Sequence, residues 1–201
     1  HFGIEILLNS HVRGLRIGVP REYFDAPLDP EVAQSVREAL DLLESLGAVV
    51  NVVDLPMYND TQAISTAILM AEASAYHQDL LARDGDKLYP PVRLRLEAGL
   101  FITAADYLRA QQGRTIFNNQ ARRLLDDVDL LAGPTQPITA PELLAEKVQV
   151  GEQEIGTVAA LTQYSRPYNL TGFPAIAIPC GFSKASMPIS LQLAGRSFDE
   201  L

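Results

Sequence analysis

The sequence has one cysteine and three lysines, and these scarcities exclude several classes of protein. Cys180 alone cannot form an internal disulfide or a cysteine-based metal cluster, which fits a reducing compartment. The lysines are Lys87, Lys147 and Lys184, the chain has no basic run, and its net charge is −9. Since phosphate contacts need clustered Lys and Arg, we expect no binding to nucleic acid or to an anionic membrane.

Histidines and long apolar runs are also scarce. The histidines His1, His11 and His77 lack metal-ligand spacing, so no metal site is predicted. No apolar run reaches the length of a membrane span, and the first residues lack a charged segment followed by an apolar one. The sequence therefore predicts a protein without a membrane segment, located in the cytoplasm.

The composition is that of a globular protein with a large core. Of the 201 residues, 47% are hydrophobic and 20% are charged. The chain contains no repeat, low-complexity tract or flexible linker, so residues 1–201 are predicted to form a single domain.

A strand, a helix and a second strand follow one another near the start. Leu15 to Val19 is an apolar run closed by Pro20, and Asp29 can cap a helix that has Pro30 at its first position. The helix has apolar residues at three- and four-residue spacing and stops at Gly47. Ala48 to Leu55 then reads as a strand covered on both faces. This βαβ unit predicts a parallel sheet with helices on its faces.

The rest of the chain alternates in the same way. Further helices are predicted from Asp60 to Ala82, from Pro90 to about Leu100, from a capping box at Thr103 to about Asp126, and from Thr157 to Asn169 with a break at Pro167. Strands are predicted at Val128–Ala132, Ala175–Ile178 and Ile189–Leu193. Between them, Gly133 to Pro141 reads as irregular and Glu142 to Gly156 as an exposed excursion.

Common catalytic motifs are absent. There is no G-x-S-x-G elbow, no G-x-G-x-x-G loop and no Walker A loop, so no nucleotide cofactor is predicted. Cys180 has no histidine near it in sequence, which favours a structural thiol over a nucleophile. Asp126, Asp127 and Asp129 could form an acid–base pair, but a solvated turn before a strand is the favoured interpretation. The sequence therefore predicts no catalytic residue in this chain.

Four motif-like stretches follow one another along the chain: GLRIGVPREYF (Gly14–Phe24), DLLAGPT continuing to an Ala-Pro (Asp129–Pro141), NLTGFP followed by IPCG (Asn169–Gly181), and PISLQLAG (Pro188–Gly195). Together they resemble the C-terminal half of amidase-signature enzymes. The resemblance implies an α/β fold with a mixed, partly parallel sheet covered by helices. It also implies hydrolysis of a carboxamide to an acid and ammonia or an amine.

In that family the nucleophile is a serine activated through a second serine and a lysine, because a serine hydroxyl is a poor nucleophile until a base takes its proton. A Gly/Ser-rich loop stabilises the oxyanion. Both lie in the family's N-terminal half. Here no two serines are adjacent, no Gly-Gly pair exists, and no lysine has a matching context. We therefore expect the C-terminal portion of an amidase domain without its signature region, inactive by itself.

The resemblance still implies a pocket wall for a small-molecule amide. Arg95, four residues before Gly99, has the spacing of an arginine that holds a substrate carboxylate in one branch of the family, although a plain surface arginine fits as well. Thr135 and the segment Asn169, Thr171 and Gly172 are predicted on loops next to strand ends, where α/β proteins bind ligands. Turn chemistry is the alternative explanation for these four residues.

Three functional interpretations remain open. A general amidase is favoured by the stretch Tyr107–Ala110, whereas Ala82–Tyr89 lacks the second arginine and final glycine typical of the A subunit of the tRNA-dependent amidotransferase. That component is one alternative, and a non-catalytic ligand- or partner-binding module is the other. Strands that normally pair with a missing half would leave an open sheet edge, so self-association through this face is predicted.

Overall fold

The computed structural model describes residues 12–199, which divide into two compact units. The sheet unit comprises residues 12–56 and 120–199, and the helical unit comprises residues 57–119. His1 and His11 lie outside the described residues. None of the described helices combines the length and apolar character needed to cross a membrane.

Within the described residues of the sheet unit, five strands form one mixed sheet. In chain order the strands of this unit are β1 (Arg16–Pro20), β2 (Val49–Val53), β3 (Leu130–Pro134), β4 (Lys147–Val150), β5 (Gln153–Gly156), β6 (Ala175–Phe182) and β7 (Pro188–Ala194). The main sheet has the order β2-β1-β3-β7-β6, and β4 pairs with β5 separately. β1 is parallel to β2 and β3, whereas β7 is antiparallel to β3 and β6. The predicted mixed, partly parallel α/β fold is confirmed.

The helices lie largely where the sequence predicts them, with two differences in where they break. They are α1 (Glu22–Asp25), α2 (Pro30–Ser45), α3 (Thr61–Tyr76), α4 (Gln78–Asp84), α5 (Pro90–Gly99), α6 (Ala104–Asp127), α7 (Thr157–Leu161) and α8 (Arg166–Thr171). The predicted helix from Asp60 to Ala82 is two helices that meet at His77. Pro167 does not break a helix but lies in the first turn of α8, where its missing N–H costs no hydrogen bond.

Helix α2 begins and packs as its sequence predicts. Asp29 accepts hydrogen bonds from the backbone N–H groups of Glu31 (2.8 Å) and Val32 (3.3 Å), which satisfies two donors at the helix start. The apolar face of α2 lies against one face of the main sheet, and the buried residues of this core are Ile17, Val19, Val32, Val36, Leu40, Ala48, Ala132, Ile189 and Leu191. This contact covers the centre of the sheet on that side.

Strand β2 differs from the prediction. Its sequence, nearly all valine, was expected to be covered on both faces, but Val49 is 47% exposed and Val52 is 63% exposed. The reason is its place in the sheet: among the described residues β2 pairs only with β1 and forms an edge. An uninterrupted apolar run therefore does not by itself distinguish a central strand from an edge strand.

The segment from Glu142 to Gly156 is more regular than predicted. Residues 147–156 form an antiparallel hairpin of β4 and β5 that turns at Gly151, where φ is +57°. Its surface is mostly exposed, with a cross-strand ion pair between Lys147 and Glu154 at 2.7 Å. Val150, however, is fully buried, so one end of the hairpin is packed against the protein.

Two sequence features of the helical unit have clear structural roles. The Thr103 hydroxyl caps α6, because it accepts a hydrogen bond from the Asp106 N–H at 3.1 Å and donates to the Asp106 carboxylate at 2.6 Å. Gly99 lies where α5 crosses α3. A Cβ atom there would overlap the Ser74 hydroxyl oxygen and the Met70 carbonyl oxygen, so the two helices approach too closely for any side chain.

We predict that Gly99→Ala destabilises the protein while Gly113→Ala does not. Overpacking at Gly99 pushes against backbone, which costs about 1–3 kcal/mol. At Gly113 an added Cβ lies 3.0 and 3.2 Å from Cδ1 and Cγ1 of the Ile64 side chain, which has to shift by a few tenths of an ångström, and alanine gains up to about 1 kcal/mol of helix propensity over glycine. Urea unfolding followed by circular dichroism measures both variants, and equal midpoints would contradict the close approach.

Candidate functional site

The carboxyl ends of β1 and β3 form the part of the sheet where a ligand site is expected. β2 and β3 lie on opposite sides of β1, so the strand order reverses at β1. In open α/β sheets, ligands bind outside the carboxyl ends of the strands at such a reversal, because the connecting segments leave in opposite directions and open a crevice.

A buried tyrosine cluster packs against this end of the sheet. Tyr23, just after β1, is fully buried, and its ring lies so close to Gly133 of β3 that a Cβ atom on Gly133 would overlap it. The Tyr23 hydroxyl donates to the Tyr168 hydroxyl at 2.9 Å, and the Tyr164 hydroxyl donates to the Tyr23 carbonyl at 2.8 Å. The Tyr23 and Tyr164 ring centroids are 5.1 Å apart, a normal aromatic packing distance. Glycine at position 133 is thus explained by aromatic packing.

Thr135 lies directly after β3, at the predicted end of the sheet. Both its N–H and its hydroxyl donate to the Ser190 carbonyl, at 3.2 and 3.1 Å. These bonds join the end of β3 to β7, and the side chain is only half-buried. The hydroxyl oxygen still has a free acceptor lone pair that a ligand N–H group can use.

Asn169, Thr171 and Gly172 lie together in α8 and at its end. The Thr171 hydroxyl is buried and donates to the Pro167 carbonyl at 3.1 Å. Gly172 has φ +71°, and its N–H closes the helix on the Tyr168 carbonyl at 2.8 Å, so a left-handed residue is needed there. Asn169 is exposed.

The strand register gives the position of the strand that follows these residues. Ala175, three residues after Gly172, is level with Ala194 and Leu131, and Thr135 follows Leu131 by four residues. A shared substrate contact for Thr135 and the residues of α8 remains a prediction.

Arg95 lies on α5 in the helical unit and is exposed. Within the described part of the chain it takes part in none of the hydrogen bonds or ion pairs, whereas its neighbour Arg93 pairs with Glu97 at 2.6 Å. A guanidinium without an internal partner is available to a carboxylate. The four-residue spacing between Arg95 and Gly99 is therefore weak evidence that Arg95 contacts a substrate, because helix packing alone already requires a glycine at position 99.

An ionic clamp that the sequence did not reveal joins the opposite, amino end of β1 and β3. The Asp129 carboxylate accepts from the Arg16 backbone N–H at 2.9 Å and from its guanidinium at 2.7 and 3.3 Å. Arg196 approaches the same carboxylate at 3.8 Å, donates to the Val128 carbonyl at 2.9 Å, and also donates to the Leu125 carbonyl at the end of α6. The interpretation of Asp129 as a solvated turn is wrong, although Asp126 and Asp127 are exposed as expected.

The electrostatics of the clamp favour the ionised form of the Asp129 carboxyl. Hydrogen bonds from the Arg16 side chain and backbone hold the pKa of the Asp129 carboxyl below its usual range, with a further contribution from the charge of Arg196. The sequence did offer one indication of a structural role for Asp129, because this residue follows a helix and immediately precedes β3. The sequence alone could not show that β1 is the neighbouring strand.

Beside the clamp lies a cleft of about 630 Å³. Apolar side chains make most of its wall, and Asp129, Arg196 and Asp199 make the rest; the apolar residues include Leu15, Leu130, Ile176 and Leu193. A second groove of about 370 Å³ runs between α2 and β2, where the Arg37 guanidinium lies 5.4 Å from the centre of the Phe24 ring. None of the five predicted site residues lines either of these two cavities.

Cys180 lies half-buried on β6 and packs against the α2 core. Burial raises the pKa of its thiol, so the thiol form is favoured at neutral pH, as expected of a structural cysteine. Among residues 12–199, no group of three or more His, Cys, Asp and Glu side chains is placed to hold a metal ion.

The sheet order and the connections around it define a class, a mixed α/β protein with a partly parallel sheet and helices packed on it. Its residues 4–201 match the family model described as Amidase, and the chain belongs to the amidase family. A solved amidase superimposes with a TM-score of 0.87 at 30% identity, over 92% of this chain and 42% of that one.

Two curated relatives give the same family and differ in branch. An amidase of Pseudomonas putida is 40% identical over 198 residues, which cover 96% of this chain and 41% of the relative. The A subunit of a glutamyl-tRNA(Gln) amidotransferase from Myxococcus xanthus is 37% identical over 219 aligned positions, covering 96% of this chain and 44% of the relative. The chain thus spans about two fifths of the length of the relatives it matches.

We predict that Asp129→Asn lowers thermal stability at neutral pH and removes part of its acid dependence. Because the folded-state pKa of Asp129 is lowered, its contribution is present above the ordinary aspartate value of about 3.9 and is lost as the pH falls through the lower folded value. Melting temperatures of wild type and variant should therefore differ at pH 7 and converge in strong acid.

Asp126→Asn is the matched control, since it removes an exposed carboxylate from the last turn of α6, three residues before Asp129. It should leave the melting curve close to that of wild type. Equal effects of the two substitutions at pH 7 would show that the Asp129 clamp contributes nothing specific.

Proposed function

We propose that this chain forms the C-terminal half of a carboxamide hydrolase, where it supplies core strands and pocket wall, and that it does not hydrolyse amides by itself. Membership of the amidase family supports the first part. The second part rests on what amide hydrolysis needs: a nucleophile whose proton is taken by a base, and donors for the oxyanion.

The state of the lysines is the observation that carries the proposal. A lysine that acts as a base must lose its charge near neutral pH, which requires burial or a cationic neighbour. Here all three lysines are exposed and lie beside carboxylates: Lys87 at 2.7 Å from Asp84, Lys147 at 2.7 Å from Glu154, and Lys184 at 3.6 Å from Glu31.

For Lys147 the effect is opposite to the one that a base needs, because the Glu154 carboxylate raises the pKa of Lys147. With no adjacent serines and no Gly-Gly pair in the sequence, the chain offers no activated hydroxyl of the kind the family uses.

The contribution of this half to substrate binding follows from exposed polar groups. Thr135 presents a hydroxyl oxygen at the carboxyl end of β3, the end at which α/β proteins bind ligands. Arg95 presents a guanidinium without an internal partner among the described residues, which suits a substrate that carries a carboxylate. Asn169, Thr171 and Gly172 are assigned to the pocket wall with less support, because helix termination already explains Thr171 and Gly172.

A general amidase is the favoured branch. The amidase of Pseudomonas putida has the higher identity of the two relatives described, and the stretch Ala82–Tyr89 lacks residues typical of the tRNA-dependent enzyme. The relative from Myxococcus xanthus keeps an A-subunit role in a tRNA-dependent amidotransferase as the second candidate. A non-catalytic binding module is the third candidate. The reading frame upstream of His1 distinguishes an enzyme from a binding module, because a lysine followed by a Gly/Ser-rich loop there supports the enzyme.

The expected setting is the cytoplasm, with a small-molecule amide as the ligand of the intact enzyme and without nucleic acid as a partner. The net charge of −9 supports the last point. Self-association of the isolated chain also belongs to the proposal, because apolar side chains remain uncovered on β6.

We predict no release of ammonia when the purified chain is incubated with a panel of simple aliphatic and aromatic amides. The intact amidase of Pseudomonas putida, prepared in the same way, is the positive control. Turnover above the buffer rate that follows the chain through gel filtration would overturn the proposal that this half is inactive by itself.

A further inference from the structure

We infer that the cleft beside the Asp129 clamp binds a small uncharged molecule that has an apolar chain and a carboxamide head group. This site is separate from the pocket wall proposed above. Asp129 lines the cleft and directly precedes β3, whereas Thr135 directly follows β3. The two positions are six residues apart, which is about 20 Å along a strand.

The first observation is the size and the apolar lining of the cleft. Its volume of about 630 Å³ lies within the range of about 300–1,000 Å³ that is usual for small-molecule sites. Leu193 and Ile176 lie directly opposite each other in the β6–β7 pair, so their side chains share one face of the sheet. Leu15 and Leu193 also pack against the core under α2. The apolar wall is therefore the margin of an ordered core, and it suits an alkyl chain.

The second observation is that contacts within the chain fix the walls of the cleft. Backbone hydrogen bonds continue the strand pairing next to it: the Gly195 N–H donates to the Pro174 carbonyl at 3.1 Å, and the Asp129 N–H donates to the Arg16 carbonyl at 2.7 Å. The Arg16 guanidinium then holds the Asp129 carboxylate in place. Because these groups are ordered before a ligand arrives, binding costs the protein little conformational entropy.

The third observation is the hydrogen-bonding capacity at the polar end of the cleft. Nη2 of Arg196 donates to the Leu125 and Val128 carbonyls, so both of its hydrogens are used. Nη1 carries two more hydrogens, and among the described residues it makes one long bond, at 3.5 Å, to the Asp199 carboxylate. A donor and an acceptor with spare capacity therefore lie side by side.

Charge at this end favours an uncharged head group. Two arginines and two aspartates meet there and their charges sum to zero; they are Arg16, Arg196, Asp129 and Asp199. A ligand carboxylate would lie against the aspartates, and a ligand ammonium would lie against the arginines. A carboxamide accepts through its oxygen and donates through its nitrogen, so it can bond to Arg196 and Asp199 together without adding a charge.

The experiment is an NMR titration of the isotope-labelled chain with molecules that share one apolar chain and differ in head group. Hexanamide should shift the backbone N–H signals of Leu130, Leu193 and Gly195 in a saturable way. Hexanoate and hexylammonium should bind about tenfold more weakly, because each loses a hydrogen bond to a charged group and meets a like charge. Hexanol, with a single oxygen, should also bind more weakly than the amide.

Two glutamate substitutions form a matched pair that tests the apolar wall. Ile176→Glu should abolish saturable hexanamide binding, because it places a charge beside the alkyl chain. Val52→Glu should bind as wild type does, since Val52 lines the second groove and not this cleft. The two side chains are similarly exposed, at 60% and 63%, so neither change buries a charge, and circular dichroism checks that both variants are folded.

Asp199→Asn tests the polar end by changing its charge. The asparagine oxygen still accepts a hydrogen bond, so hexanamide should bind nearly as before. Hexanoate should gain about fivefold, because the arginines now outnumber the aspartates. Asp41→Asn is the matched control: it is the same chemical change at an exposed position that lines the second groove, and it should leave the order of the four ligands unchanged.

Several results overturn the inference. They are the absence of saturable shifts with hexanamide up to its solubility limit, equal or tighter binding of hexanoate, hexylammonium or hexanol, and shifts that map to the groove along β2. Loss of hexanamide binding in Val52→Glu with none in Ile176→Glu does the same. These titrations measure no turnover, so the carboxamide site and the proposed function fail independently.

Discussion

The sheet unit depends on the packing of α2 across the centre of its main sheet. Val32, Val36 and Leu40 are removed from water together with Ile17 and Leu191 of the strands below, and this apolar burial is the main favourable term in folding such a unit. Because α2 also connects β1 to β2, the same contact fixes those two strands as parallel neighbours. Asp29 sets the start of the helix and so sets which residues face the sheet.

The two ends of the sheet are held in physically different ways. At the carboxyl end, the Tyr23 ring packs against Gly133, the Tyr23 hydroxyl donates to the Tyr168 hydroxyl, and the Tyr164 hydroxyl donates to the Tyr23 carbonyl. At the amino end, charge holds the strands, through Asp129 between Arg16 and Arg196. The amino end is therefore sensitive to acid through Asp129, whereas the carboxyl end is held by ring packing and hydrogen bonds between uncharged groups.

Local signals in the sequence predicted most of the fold, and long-range pairing explains most of what it missed. The Asp29 cap, the Thr103 cap and the apolar spacing of α2 depend on near neighbours, and all are found in the structure. Whether β2 is central or at an edge depends on strands far away in the chain, so its valines were misread. Asp129 was misread for the same reason, because Arg16 is 113 residues away.

The candidate site was predicted less completely than the fold. Thr135 lies at the expected end of the sheet, since a strand followed by a Pro-rich segment marks its own end. Asn169, Thr171 and Gly172 were grouped with it because both lie next to strand ends, and the structure shows that Thr171 and Gly172 take part in ending α8. Sequence proximity to a strand does not distinguish a ligand contact from helix termination.

The anchoring of β6 at both ends has a consequence for how this edge meets another strand. One end is held through the Pro174 carbonyl, and beyond the other the Lys184 N–H bonds to Glu31 of α2 at 3.0 Å. In between, Gly181 lies against Ser35 of the same helix. Ordering a free backbone costs about 1–2 kcal/mol per residue, but β6 is already ordered before any encounter. The edge is preorganised, so only an incoming strand that is itself disordered loses conformational entropy when it docks.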